Sequence, residues 1–134
     1  MNEIKIEIPS LPENIRVVES FIDNVNEKYK FNEDQYGNIM VAVTESVNNA
    51  IMHGNKSDPD KNVHLKLLFD DEKMTFIVED QGKGFDYNNL PDPTAPENLE
   101  KIGGRGIFLM RSLCDEVKYN DAGNTVEMVF NITS

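Results

Sequence analysis

The sequence predicts an α+β fold, a two-layer α/β sandwich in which helices cover one face of a mixed, mainly antiparallel sheet. Three observations carry that expectation. Five short stretches alternate apolar with polar residues, so each has one apolar edge at a period of two. Two longer stretches repeat apolar residues at helical spacing. Strands with a single apolar face need helices on that face only, and water covers the other.

The elements follow in order. Ile4, Ile6 and Ile8 alternate with Lys5 and Glu7, the pattern of a half-buried strand. Ser10-Leu11-Pro12-Glu13 fits a capping box with Pro early in the first turn. Ile15, Val18, Ile22, Val25 and Tyr29 then recur as one helical stripe. Asn32-Glu33-Asp34-Gln35 offers a second cap with acids in the first turn, opening a helix that should stop near Gly54-Asn55. Lys56 to Lys61 is a polar loop containing a proline. Val63, Leu65, Leu67 and Phe69 alternate, Asp70 to Lys73 turns the chain, and Met74, Phe76 and Val78 alternate again, which predicts an antiparallel hairpin. From Tyr87 to Ile102 the composition shifts to Asn, Asp, Glu and three prolines, and loops of that length are functional or disordered. Ile107 to Leu113 begins a third helix, with Arg111 and Asp115 as charges on its face. Val117 to Tyr119 and Val126 to Ile132 are the last two strands.

A chain of 134 residues suffices for one domain with a genuine core, here taken as 1–134, and is too short for two. The net charge of −11 repels a nucleic-acid backbone, and no local basic patch offsets it. A bound nucleotide would need a divalent cation against that background. Cys114 is the only cysteine, so no intramolecular disulfide forms, and its apolar surroundings suggest a small buried hydrophobe. The first residues lack a secretory pattern and no apolar run reaches membrane-spanning length, so the expected compartment is the cytoplasm, with no membrane partner.

The helix before Gly54 organises the rest. Ile39, Met40, Val43, Val47, Ala50 and Ile51 gather on one arc. The opposite arc carries Glu45, Ser46, Asn48, Asn49 and His53 among Val41, Ala42 and Met52, with no Lys or Arg between Lys30 and Lys56. Glu45 and Asn49 stand one turn apart, which suits a cation and a phosphate, or else a second packed face with Asn as a cap. Asn49 offers a hard oxygen of the kind Mg²⁺ accepts. Asp80-Gln81-Gly82-Lys83-Gly84 follows a strand. Its glycines admit close backbone approach, and an Asp there can accept from an exocyclic amine; an ordinary loop turn is the plainer reading. Gly103-Gly104-Arg105-Gly106 at a helix start is either a phosphate cradle or a hinge.

The three signals together resemble the Bergerat-fold (histidine kinase-like) ATPases, and most closely the RsbW-type anti-sigma factor serine/threonine kinases. The stretches that carry the likeness are Thr44 to Gly54, Glu79 to Asp86 and Gly104 to Arg111. The resemblance implies ATP and Mg²⁺ as ligands, with Asn49 on the metal and Glu45 as general base. It also implies Asp80 as the adenine reader supported by Gly82 and Gly84, Thr125 near the base, and Gly104, Arg105 and Gly106 at the phosphates beneath a lid spanning about 86–103. Relatives phosphorylate a STAS-domain anti-anti-sigma protein and hold a sigma factor inactive, often as homodimers. A non-catalytic module that binds a regulator is the competing expectation, and it would need no base at position 45. A histidine kinase catalytic domain fits less well, since the two histidines, His53 and His64, fall in the site helix and a strand.

Overall fold

The computed structural model describes residues 2–82, 112–120 and 124–131. Five strands, β1 (Asn2–Pro9), β2 (Asn62–Phe69), β3 (Lys73–Glu79), β4 (Glu116–Tyr119) and β5 (Thr125–Asn131), form one sheet in the order β1-β2-β3-β5-β4. All four described pairings are antiparallel, where the sequence also allowed a mixed sheet. The register places Ile6, Leu65, Val78, Val126 and Tyr119 side by side across all five strands. The next row, Lys5, Lys66, Ile77, Glu127 and Lys118, faces the other way. A slip of one residue would exchange the two faces, so burial of the apolar rows fixes the register.

Two helices, α1 (Ile15–Tyr29) and α2 (Glu33–Asn49), cover the apolar face. Phe76, Ile22, Ile39, Ile51, Leu65 and Leu67 are fully buried between the layers. Tyr29 meets Phe69 edge-on at 4.5 Å, joining the end of α1 to the end of β2. The Asn32 side chain accepts from the Gln35 N–H at 2.7 Å, so the second predicted cap forms. Gln35 Nε2 in turn donates to the Asn131 carbonyl at 2.6 Å and ties α2 to β5.

Helix α2 packs on α1 as well as on β3 and β5, and this widens its buried face. Ala42 and Ser46, expected among the polar residues, are buried at 0% and 4% exposure. The arc left over on the second half of α2 carries Glu45, Asn48 and Asn49 half-exposed, beside the exposed Val41.

Ser10 is not a helix cap. It is fully buried, and its hydroxyl donates to the Lys61 carbonyl at 2.6 Å, because the chain first makes a short turn at Pro12–Asn14 before α1 begins. Asp115 is not on a helix face either. Its N–H donates to the Val129 carbonyl and its carboxylate accepts from the Asn131 N–H at 2.7 Å, which anchors β4 to β5. Cys114 is half-buried, and burial, helped by the charge of Asp115, pushes its thiol up to about 12. The expected lid at about 86–103 and the expected third helix up to residue 111 fall outside the described residues. Among the described residues no helix is long and apolar enough to cross a membrane.

Gly37 lies inside α2, and a Cβ there would meet nothing within 4 Å. Gly37→Ala is expected to stabilise the protein by about 1 kcal/mol, since it removes a helix-interior glycine at no steric cost. Urea denaturation checks this, and an unchanged or lower midpoint contradicts it.

Candidate functional site

Helix α2 does not end as an ordinary α-helix. From Ala50 to Gly54 it widens into a π turn, closed by the Asn55 N–H on the Ala50 carbonyl at 2.8 Å. Single π turns mark functional sites often enough to be informative. The chain then passes through two successive left-handed residues, Lys56 (φ 53°) and Ser57 (φ 56°). Neither is glycine, and each costs about 1–2 kcal/mol in that conformation. Gly54 itself does not supply the left-handed cap that its position in the sequence suggested.

Gly54 is needed for close approach. A Cβ on Gly54 would lie 2.3 Å from Asp80 Oδ2 and 2.4 Å from Asp80 Cγ. A Cβ on Gly82 would lie 2.1 Å from the Gly54 carbonyl oxygen. The carboxylate of Asp80 is thus pressed between the end of the site helix and its own following turn, and only residues without a Cβ allow it. The Gly82 N–H donates to Asp80 Oδ1 at 2.7 Å. The Asp80 N–H donates to the Asn124 carbonyl at 3.0 Å. Burial pushes the Asp80 carboxyl above its ordinary range; the Gly82 N–H opposes that shift, and the charge of Glu79 adds to it. Asp80 is half-buried, with Oδ1 held by the Gly82 N–H and Oδ2 lying against the Gly54 backbone.

Asn55 joins these parts. It is 1% exposed, and its Nδ2 donates to Ser10 Oγ at 2.8 Å and to the Asn62 carbonyl at 3.0 Å. Its Oδ1 accepts from the Gln81 N–H at 2.7 Å. Three satisfied bonds at about 1 kcal/mol each are of the size needed to offset the two left-handed residues that follow. Gln81 Oε1 also accepts from the Asn62 N–H at 2.7 Å.

The remaining candidates divide. Glu45 and Asn49 sit on α2 one turn apart, an axial rise of about 6 Å, and among the described residues neither side chain has a hydrogen-bond partner. His53 is exposed in the π turn. Thr125 does not join Asp80. It pairs with Glu79 in the register, and its hydroxyl lies 3.4 Å from Glu79 Oε2, on the sheet face away from the helices. Its neighbour Asn124 reaches the site turn instead, with Nδ2 donating to the Gly82 carbonyl at 3.3 Å. Gly84, Gly104, Arg105 and Gly106 lie outside the described residues. Asn55, Gln81 and Asn124 were missed in the sequence because an isolated polar residue in a loop carries no periodic signal.

A separate groove of about 380 Å³ lies on the open sheet face, lined by residues including Lys5, Glu7, His64, Lys66 and Glu79. Its acids and bases alternate, and it contains none of the candidate residues.

The raised carboxyl of Asp80 has a consequence for stability. Its contribution is fully present below the ordinary carboxyl value of 3.8 and is lost as pH rises through the higher folded value. Asp80→Asn keeps an acceptor for the Gly82 N–H and removes the buried charge. The variant is therefore expected to melt higher than wild type at neutral pH, with the gap closing as pH falls toward 3.8. A gap that is constant with pH, or reversed in sign, contradicts the burial of a charged Asp80.

The chain's residues 8–130 match the family of the histidine kinase-like ATPase domain. It is 30% identical over 132 residues to the serine-protein kinase RsbW of Bacillus licheniformis, covering 93% of this chain and 82% of that one. The RsbW of Staphylococcus epidermidis is 29% identical, over 94% of this chain and 84% of its own. The RsbW of Bacillus subtilis (strain 168) is 27% identical, over 93% and 82%. The solved structure of the RsbU and RsbW domains of a Mycobacterium tuberculosis protein superposes with a TM-score of 0.67 at 14% identity, covering 98% of this chain and 32% of that one, and this shows the shared fold. A half-buried aspartate closed in by Gly54 and Gly82, on a sheet covered by helices on one face, sits within a chain that belongs to the RsbW serine-protein kinases of the histidine kinase-like ATPase family.

Proposed function

We propose that this chain transfers the γ-phosphoryl group of ATP to a serine or threonine hydroxyl of a STAS-domain anti-anti-sigma protein, and that it holds a sigma factor inactive when that partner is phosphorylated. The carrying observation is the contact between Asp80 and the π turn of α2. It supports a site in which base recognition and phosphate chemistry are parts of one rigid unit.

Each residue has a role. Asp80 accepts from the exocyclic amine of adenine. Its Oδ1 is already bound to the Gly82 N–H, so the second oxygen does the reading. Gly54 and Gly82 let the end of α2 and the following turn close on the carboxylate, which holds it in one orientation for that contact. Asn49 offers one hard carboxamide oxygen to Mg²⁺. An ion there would be completed by phosphate oxygens and water. When bound, Mg²⁺ would neutralise developing phosphate charge. Glu45, one turn before Asn49, takes the proton of the attacking hydroxyl as its oxygen bonds to the γ-phosphorus and ADP departs. The protein acts in the cytoplasm as a homodimer, with no nucleic-acid or membrane partner.

Glu45→Gln is expected to leave nucleotide affinity unchanged and to lower phosphate transfer by at least about a hundredfold, the usual contribution of a general base. Intact-mass analysis of a small protein co-purifying with the tagged chain under Mg-ATP reads this directly. Equal retention of a never-phosphorylated partner by both forms would mean a binding module without kinase activity. Asn49→Ala is expected to reduce the Mg²⁺ dependence of ATP binding in calorimetric titrations. Wild-type binding that is already independent of Mg²⁺ would remove the metal role.

A further inference from the structure

We propose that Asn55 is a positioning residue for base recognition: its buried carboxamide holds the Asp80-Gln81-Gly82 turn where Asp80 can distinguish a purine bearing an exocyclic amine from one that lacks it. The inference rests on the reading of Asp80 given above and assigns that reading a supporting residue.

Asn55 makes all its bonds to the protein. The N–H it accepts from belongs to the peptide directly after Asp80, at 2.7 Å. On the other side, the Asp80 N–H is held by the Asn124 carbonyl at 3.0 Å. Asp80 is therefore clamped from both flanks, and Asn55 is the buried half of the clamp. The orientation of the carboxylate follows from it. Oδ1 points at the Gly82 N–H, and Gly82 stands where it does because Gln81 is tied to Asn55 and to Asn62. The opposite end of the carboxamide is anchored by Ser10 Oγ and the Asn62 carbonyl, at the ends of β1 and β2. A displacement of the π turn would thus reach Asp80 through one side chain.

The site requires a carboxamide in particular. Two acceptors need donors and one donor needs an acceptor, within the reach of a short side chain. Aspartate lacks the donors, and serine lacks the reach. Alanine would leave the part-buried Gln81 N–H and Asn62 carbonyl without that partner, and the turn would relax toward water.

The test compares ATP with inosine triphosphate, in which a carbonyl replaces the exocyclic amine. Binding to the full chain is measured by calorimetry well below the melting point of each variant. Wild type is expected to prefer ATP. Asn55→Ala is expected to lose about tenfold in ATP affinity and nothing for inosine triphosphate, so that the preference collapses. Asn55→Asp, which still accepts from the Gln81 N–H, should regain part of the preference. In an Asp80→Asn background Asn55→Ala should cost no further affinity. If Asn55→Ala does not fold, Gln81→Ala loosens the same turn from an exposed side chain and should reduce the preference by about threefold. Equal losses for both nucleotides, or an intact preference in both alanine variants, would overturn the positioning role while leaving Asp80 as the reader. A wild type that binds the two nucleotides alike would overturn the Asp80 reading, and this inference with it.

Discussion

The approach of the Asp80 carboxylate to the Gly54 backbone is the constraint on which the rest of the site depends. A carboxylate is not normally driven into contact with the end of a helix, since burial disfavours its charge. Here the contact persists because several features agree. Gly54 and Gly82 leave room for it, Gly82 donates an N–H to it, and Asn55 locks both segments to the ends of β1 and β2. Any one of them alone would leave either a clash or an unsatisfied group. The strained pair Lys56 and Ser57 is tolerated next to a buried hub of three hydrogen bonds, consistent with strain collecting where a site is over-determined.

The layer arrangement decides which residues of α2 are drawn into the core. The helix is packed on α1, β3 and β5, and Ile39, Ala42, Val43, Ser46 and Val47 are buried there. Even Ser46 is drawn inside, at 4% exposure. What stays at the surface includes Glu45, Asn48, Asn49 and His53, in a segment without a single Lys or Arg. Val41 and Met52 are exposed on the same side, so these uncharged and acidic groups stand among apolar neighbours and not among basic ones. The open face of the sheet is the contrast. There Lys5, Glu7, His64, Lys66 and Glu79 mix charges as an ordinary solvated surface does.

Much of the fold was legible in the sequence because its signals are periodic. The alternation of Val63 to Phe69 and of Met74 to Val78 specified both strands and their buried faces, and Asn32 marked the start of α2. Local motifs were less dependable where a distant partner competed for the same atoms. Ser10 has the neighbours of a helix cap, yet its hydroxyl is used by Lys61, 51 residues away. Thr125 lies beside the site in sequence, but strand alternation turns its side chain to the far face and leaves Asn124 to reach the Gly82 carbonyl.

By itself, the sequence determined the element types, the apolar faces and the chemical character of Glu45, Asn49 and Asp80, since these follow from residue type and spacing along one segment. Tertiary structure alone decided that α2 closes in a π turn, that Gly54 and Gly82 fold around one carboxylate, and that Asn55 is the buried joint between them. These features arise between segments about 25 residues apart, as in the bond from Asn55 to Gln81, where separation along the chain is 26. No local pattern encodes such a meeting, because the groups involved become neighbours only once the sheet and its helices have packed.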